Sequence, residues 1–211
     1  MKELLIKRMK ILAFGDTHTD TLSLEVARQK AHYADLVVCL GDFTLYGEEL
    51  HEQLELINKF PKKVILIHGN HEHEPELREI IQHYPNIIFL HKEIHTHNGF
   101  TFIGYGGDGF SKHNQDFETF VEETIQENHN TILLLHGPPY GTKLDTPFEE
   151  FHCGNVSYRK SIEKHQPLLA LSGHVHECEK QQDTLNQTTI FNPGKDGEII
   201  DLQSLLQTRK I

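Results

Sequence analysis

Five apolar stretches of this sequence each end in side chains that can bind a metal ion. The candidate ligands are carboxylates, imidazoles and one amide, in the order Asp16, His18, Asp42, Asn70, His136, His174 and His176. Asp16 and His18 are two residues apart in an extended segment, so their side chains point to the same side. His174 and His176 repeat this spacing. One such pair is common on protein surfaces, but five coincidences in one chain indicate a site.

This set of donors suits two divalent cations. Carboxylate, imidazole and amide oxygen bind hard to borderline ions such as Mn, Fe, Zn or Co, whereas sites for soft ions need cysteine. Seven ligands are too many for one four-coordinate zinc ion. Two ions about 3.5–4 Å apart can activate a bridging hydroxide and stabilise both the attacking and the leaving oxygen of an in-line displacement. The pattern therefore predicts two-metal chemistry.

The stretches that precede these ligands have the composition of buried strands. They cover residues 9–14, 36–40, 64–67, 132–135 and 168–171. The middle one runs directly into Gly69-Asn70-His71-Glu72, which places an amide, an imidazole and a carboxylate at the end of the strand. Ligands of open α/β sheets bind at the carboxyl edge of the strands. We therefore expect the seven side chains to meet at such an edge.

Amphipathic segments alternate with these strands, which is typical of the α/β class. The predicted helices cover residues 21–32 and 47–59, begin near Pro75 and Asn114, and cover residues 155–165. Asn98-Gly99 predicts a hairpin, residues 188–191 and 198–202 predict further strands, and the glycines from Gly104 to Gly109 predict a flexible rim. The expected architecture is one domain over residues 1–211, with a βαβ half followed by a mixed half with hairpins.

The charge and composition exclude several classes of protein. The net charge of −11, with histidines neutral, is unlike the basic surface of a nucleic-acid binder, so we expect no long nucleic acid as a partner. Three cysteines without C-x-x-C spacing predict reduced thiols. The amino terminus is charged rather than apolar, and no run approaches the ~20 apolar residues of a membrane span. These features predict a cytoplasmic protein without a membrane partner, and a homo-oligomer is possible.

The order of these blocks resembles a known family. Asp16-x-His18, Gly41-Asp42, Gly69-Asn70-His71-Glu72, His136 and Gly173-His174-x-His176 resemble the five signature blocks of the calcineurin-like metallophosphoesterases. The fourth block, His136-Gly137-Pro138-Pro139, resembles the small prokaryotic and archaeal phosphodiesterase-like branch. The resemblance implies a four-layer αββα sandwich, in which two mixed sheets are flanked by helices.

The resemblance also implies a role for each candidate residue. Asp16, His18 and His176 would hold one ion, Asp42 would bridge, and Asn70, His136 and His174 would hold the second. The ions would be Mn, Fe, Zn, Co or Ni. His71 would contact the phosphate and protonate the leaving oxygen, and Glu72 would orient His71. Phe43-Thr44 stand where the family often has a further aspartate or asparagine, so the contacts of this loop stay open.

The resulting expectation is a metal-dependent phosphoric ester hydrolase, in which a metal-bridging hydroxide attacks a small phosphate ester. Phosphodiesters are slightly favoured, and a phosphomonoesterase is the nearest alternative. A scaffold protein of the same fold with little catalysis is a second alternative, although loss of catalysis should show at the acid position and His71 is intact. A nuclease is a third alternative, which the negative charge disfavours. The physiological substrate, the native metal and the oligomeric state stay open.

Overall fold

The computed structural model describes residues 8–125, 130–149 and 151–209. Lys2 and Lys7, which contribute to the charged amino terminus, lie outside the described residues. Eleven strands are present in the part of the chain that the structure describes, namely β1 Lys10–Phe14, β2 Leu36–Cys39, β3 Val64–Leu66, β4 Ile87–Phe89, β5 Glu93–His97, β6 Phe100–Tyr105, β7 Thr131–Leu135, β8 Leu169–Leu171, β9 Gln182–Leu185, β10 Thr188–Phe191 and β11 Glu198–Asp201. The α-helices of the same residues are α1 Thr21–Lys30, α2 Leu50–Asn58, α3 Glu74–Ile80, α4 Gln115–Thr124, α5 Val156–His165 and α6 Leu202–Thr208. None of the described helices is long and apolar enough to cross a membrane.

The strands form two mixed sheets. The first sheet has the order β11-β1-β2-β3-β4 and the second has the order β5-β6-β7-β8-β10-β9. In the first sheet β1 to β4 are parallel and β11 runs antiparallel to β1. In the second sheet β6, β7, β8 and β10 are parallel, and the edge strands β5 and β9 are antiparallel to their neighbours. Each sheet therefore has a parallel centre whose carboxyl ends lie at one edge.

The side chains of the central strands alternate between two apolar layers. Ile11 and Ala13 of β1 pack with Ile132 and Leu134 of β7 in the cluster between the sheets. Leu12 and Phe14 of β1 face the other way and pack against α1, α2 and α3. A third cluster lies between the second sheet and the helices α4 and α5. Three apolar layers separate four layers of structure, so the αββα sandwich implied by the sequence is confirmed.

The local structure follows the sequence at most predicted elements. Asp20 and Asn114 accept hydrogen bonds from backbone N–H groups at the starts of α1 and α4, as N-caps do. Asn98 and Gly99 have φ values of 51° and 85° and join β5 to β6, which confirms the predicted hairpin. The sequence carries weaker signals for β9 and α6, which were not predicted. The strand β9 is polar and lies at a sheet edge.

The start of α2 differs from the prediction. The helix begins at Leu50 rather than at residue 47. Tyr46, Gly47 and Glu49 have φ values of 53°, 81° and 55°, in the left-handed region that a right-handed helix excludes. These residues form a tight turn that returns the chain toward the carboxyl edge of β3, where Tyr46 contacts His71. A contact from a distant part of the chain therefore replaces the first helical turn.

Candidate metal centre

The seven predicted ligands lie together at the carboxyl edges of both sheets. Asp16, His18, Asp42 and Asn70 follow β1, β2 and β3 of the first sheet, whereas His136, His174 and His176 follow β7 and β8 of the second. Three groups of possible ligand atoms lie within 4.8 Å of one another among the described residues. Two consist of predicted ligands alone, Asp16 with His18 and His176, and Asp42 with His136 and His174, and the third joins His71 to His18 and Asp42. The site therefore forms where the two sheets meet.

Asp16, His18 and His176 form the first group. The Nδ1 of His18 lies 3.2 Å from the carbonyl oxygen of Thr44, which can only accept, so Nδ1 carries the hydrogen. The Nε2 of neutral His18 then presents a lone pair to the Nε2 of His176 at 3.1 Å. One oxygen of Asp16 accepts the N–H of His174 at 2.8 Å, and this bond joins the two sheets. The two imidazole nitrogens thus converge as ligands would.

Asp42, Asn70, His136 and His174 form the second group. The Nδ1 of His136 donates to the carbonyl oxygen of Leu40 at 2.9 Å. Its Nε2 lies 3.0 Å from the Oδ1 of Asn70 and 3.3 Å from the Oδ2 of Asp42. Both oxygens are acceptors, so a neutral His136 would point a lone pair at two further lone pairs. A cation, either a proton or a metal ion, is needed between these atoms.

Unpartnered buried atoms test whether metal ions fit this site. Seven buried side-chain atoms of the described residues lack a hydrogen-bond partner, and two of them are Oδ1 of Asp16 and Nε2 of His174. A buried polar atom without a partner costs about 1–3 kcal/mol, and both of these atoms belong to the predicted ligand set. The donors are oxygen and imidazole nitrogen, which suit divalent ions of the Mn to Zn series. The residues therefore fit the two-ion site that the sequence predicts.

The charges of the site respond to burial and to mutual attraction. Burial raises the pKa of Asp16 to about 6 and lowers the pKa of His174 to about 3. Burial opposes charge on Asp42 and His136 as well, but their hydrogen bond and attraction lower the pKa of Asp42 to about 2 and raise that of His136 to about 9. In the protein without metal, a proton on His136 thus supplies the missing positive charge.

The backbone is strained at several ligands. Asp16, His18, Asp42 and His174 have φ values of 56°, 41°, 50° and 68°. Residues other than glycine adopt this left-handed region rarely, and it costs of the order of 1–3 kcal/mol each. The strain is concentrated in the turns that aim these side chains at one another, as is common at functional sites.

Two glycines make room for the carboxylates. A Cβ atom on Gly69 would lie 2.0 Å from Oδ1 of Asp42, and one on Gly173 would lie 2.3 Å from Oδ2 of Asp16. Either distance is far below van der Waals contact. These two glycines of the sequence motifs are therefore required by the close approach of a ligand side chain.

His71 lies beside the ligands and is held by Tyr46. The backbone N–H of Tyr46 donates to Nδ1 of His71 at 3.2 Å, and the Tyr46 ring stacks on the imidazole with centroids 4.2 Å apart. Because Nδ1 accepts, the hydrogen of the neutral ring is on Nε2. This Nε2 lies 3.9 Å from Oδ2 of Asp42. His71 thus presents an N–H group toward the cluster, as a proton donor to a leaving oxygen would.

The carboxylate of Glu72 bonds to Asp42, Thr44 and Gly69 rather than to the imidazole of His71, and an orienting role for it stays a prediction. Its Oε2 accepts the N–H groups of Asp42 and Gly69 at 2.9 and 2.8 Å. Its Oε1 accepts the N–H and the hydroxyl of Thr44 at 2.9 and 2.8 Å. These four bonds use the carboxylate fully and tie the loop after β2 to the loop after β3. Glu72 therefore positions the backbone of Asp42, and Thr44 supplies the contact that the sequence left open.

The structure adds neighbours that the sequence did not indicate. The Phe110 ring lies 4.1 Å from the His174 ring, although Phe110 follows a loop that was predicted only as a flexible rim. A Cβ on Gly106 would lie 2.4 Å from the His68 ring, so the loop is closely packed there. The side chain of His68 is buried, and burial lowers its pKa to about 3. Neither residue has a local sequence signal, because the contacts join separate parts of the chain.

Comparison with known proteins agrees with this geometry. A profile of the family described as calcineurin-like phosphoesterase matches residues 9–178. The UPF0046 protein K07C11.7 of Caenorhabditis elegans is 27% identical over 212 residues, a match that covers 89% of this chain and 70% of the worm protein. The region that the family profile matches contains all seven candidate ligands and His71.

Solved structures share the fold at low sequence identity. The protein TT1561 of Thermus thermophilus has a TM-score of 0.75 at 16% identity, over 94% of this chain and 96% of that chain. The phosphopantetheinyl hydrolase of Mycobacterium tuberculosis has a TM-score of 0.61 at 13% identity, over 98% and 94% of the two chains. A putative 5'-nucleotidase from Staphylococcus aureus has a TM-score of 0.63 at 14% identity, over 92% of this chain and 50% of that chain. At these identities the similarity extends to the fold alone.

Proposed function

We propose, since this chain belongs to the calcineurin-like phosphoesterase family, that it hydrolyses small phosphate esters with the help of two divalent metal ions. Phosphodiesters are the favoured substrates. The observation that carries the proposal is the meeting of two ligand groups, Asp16 with His18 and His176, and Asp42 with His136 and His174. Asn70 completes the second group through its contact with His136.

The ligand residues each have a defined task in this proposal. Asp16, His18 and His176 would hold one ion, Asn70, His136 and His174 would hold the other, and Asp42 would serve both. The ions are of the group Mn, Fe, Zn, Co and Ni, which the same donors accept. When bound, two such ions polarise the phosphoryl group and supply an ionised water as nucleophile.

His71 acts on the leaving group. Its Nδ1 is occupied by the N–H of Tyr46, so the Nε2–H is the group available to a substrate oxygen. Proton transfer starts from the imidazolium, in which a second proton on Nδ1 replaces the hydrogen bond from Tyr46. The Nε2 proton then passes to the departing oxygen, neutralises the charge that develops there and leaves a neutral imidazole. Glu72 and Thr44 act on the enzyme rather than on the substrate, because they keep the backbone of Asp42 in place.

The substrate is a compact ester rather than a long nucleic acid. The net charge of −11 repels a polyanion over its length, whereas two bound dications attract one phosphate locally. A deep polyanion-binding face would need clustered lysines and arginines, and the chain has only 20 of these residues against 31 acidic ones.

Metal reconstitution tests the proposed function. The chelated protein is loaded with Mn, Zn, Fe, Co or Ni, its metal content is measured, and the rates on mono-, di- and pyrophosphate substrates are compared. We expect two ions per chain, the highest activity on a diester, and no hydrolysis after chelation. Full activity with at most one ion per chain would refute the two-metal proposal, and absence of hydrolysis with every ion would refute the enzymatic one.

A further inference from the structure

A cavity of about 540 Å³ opens beside the candidate metal centre, on the side of His174. Three of its walls are the phenylalanine side chains Phe110, Phe148 and Phe151, and His174 is part of its lining. The volume lies in the range of ~300–1,000 Å³ that is usual for small-molecule sites. The cavity therefore borders the candidate metal centre at His174.

The exposure of these phenylalanines is unusual for this chain. Phe110, Phe148 and Phe151 are 68%, 68% and 56% exposed. All twelve phenylalanines of the sequence lie within the described residues, and the other nine are buried or half-buried. The three exposed rings thus gather around one cavity next to one ligand. Clustered apolar exposure of this kind marks a binding surface rather than random surface composition.

The loop around this cavity is held in place by a buried carboxylate. Asp145 is fully buried and accepts the N–H groups of Gly141, Thr142 and Gly154 at 2.8 to 3.0 Å. Its Oδ1 also lies 2.8 Å from Nδ1 of His152, a further residue of the cavity lining. Preformed pockets lose less ordering entropy when a ligand binds. Asp145 therefore stabilises the segment on either side of Phe148 and Phe151.

We infer that this cavity binds the ester group that remains on phosphorus, and that this group is a flat aromatic ring. The inference rests on the proposed function. The possible ligand atoms of His71, His18 and Asp42 lie within 4.8 Å of one another. Those of His174, Asp42 and His136 form a separate group with the same spacing. In an in-line displacement the leaving oxygen is opposite the attacking one, and the retained oxygens lie around the equator. Because the leaving oxygen lies at His71, we assign the cavity at His174 to the group on a retained oxygen.

An aromatic occupant suits the walls. Ring edges and faces of Phe110, Phe148 and Phe151 offer offset or edge-to-face contacts that an alkyl chain does not make. Lys112 also lines the cavity, but its Nζ lies 4.0 Å from the centre of the Tyr140 ring, so its charge is already paired with an aromatic ring of the protein. Phe148, Phe151 and Phe110 are thus specificity-determining residues, and the pocket gives a diester a reason to be preferred over a monoester.

Two diesters with the same leaving group test this inference. The substrates are p-nitrophenyl phenyl phosphate and p-nitrophenyl methyl phosphate, which differ only in the retained group. Each enzymatic rate is divided by the rate at which hydroxide hydrolyses the same ester without enzyme, because a phenyl group also makes the phosphorus slightly more reactive. We expect wild-type protein, loaded with Mn, to favour the phenyl ester in kcat/KM by about 10- to 200-fold, the range that one apolar group supports in a pocket.

Variants locate this preference. Phe148→Ala and Phe151→Ala should each reduce the ratio of phenyl to methyl several-fold. Tyr33→Ala is the matched control, because Tyr33 is 76% exposed and precedes β2, at the opposite end of the sheet from the site. It should keep the wild-type ratio. Phenyl phosphate, the product that keeps the retained ring, should also inhibit more strongly than methyl phosphate, and Phe148→Ala should reduce this difference several-fold.

The outcomes separate this inference from the proposed function. Chelator-sensitive hydrolysis with equal normalised kcat/KM for both diesters would overturn the pocket assignment and leave the phosphoesterase proposal intact. An unchanged ratio in both phenylalanine variants would do the same. Absence of hydrolysis of either diester with every ion would overturn both.

Discussion

Replacement of His71 by asparagine should separate proton transfer from metal binding. His71 is held by the Tyr46 N–H at Nδ1 and by ring stacking, and only its Nε2–H faces the cluster. Asparagine keeps a polar side chain of similar reach, but its amide cannot transfer a proton at neutral pH. The variant therefore removes the acid while it leaves the seven candidate ligands unchanged.

The size of the effect depends on the leaving group. A positioned general acid contributes about 10²–10⁴-fold, which corresponds to about 2.7–5.4 kcal/mol at 1.36 kcal/mol for each factor of ten. An alkoxide needs this proton, so alkyl diesters should lose activity by that factor in His71→Asn. A p-nitrophenolate group is stable without a proton, so the matched p-nitrophenyl diester should lose less than about tenfold.

The assay compares kcat/KM for two diesters that share the retained group and differ in the leaving group. Metal content is measured on the same samples. Equal losses on both diesters would show that His71 mainly binds the phosphate, and would refute the acid assignment. Loss of an ion from the variant would show that His71 is a ligand, as its proximity to His18 and Asp42 allows.

The contacts of single residues support three further predictions. Asp42→Ala should lose most of its bound metal and its activity, whereas Asn70→Ala should lose less metal because a neutral amide is a weaker ligand. Elemental analysis measures the metal content of both variants. Two ions bound to Asp42→Ala would contradict the bridging role of Asp42. Glu72→Gln should lower the free energy of unfolding by about 1–3 kcal/mol for each backbone donor that it leaves unpaired. It should also reduce the hydrolysis of alkyl and p-nitrophenyl diesters equally. A larger loss on the alkyl diester would indicate that Glu72 orients the imidazole of His71. Asp20→Ala should destabilise the protein by about 0.5–2 kcal/mol, since Asp20 caps α1. Asp20→Asn keeps the cap, so in the same urea titration it should lose only the contribution of the charge. Because the Lys195 hydrogen bond lowers the pKa of Asp20 to about 2, the contribution of its charge is complete above pH ~4 and lost as the pH falls toward 2.

The sequence alone determined the elements and the candidate ligands of this protein. Continuous apolar runs predict the strands β1, β2, β3, β7 and β8, because buried parallel strands have apolar side chains on both faces. The polar residues that follow each run are local features of the sequence, and their chemistry predicts metal ligands before any contact is known. The hairpin at Asn98-Gly99 and the caps at Asp20 and Asn114 are also local, so they were predictable.

Only the tertiary structure decided which atoms of distant residues meet. The sequence placed Glu72 beside His71, but the fold directs its carboxylate to the backbone of Asp42 and Thr44, 30 and 28 residues away. Likewise, Tyr46 contacts His71, and Phe110, Phe148 and Phe151 gather near His174, although no local pattern relates them. The physical reason is that adjacent side chains point in directions fixed by the backbone turn, whereas their partners are chosen by the packing of two sheets.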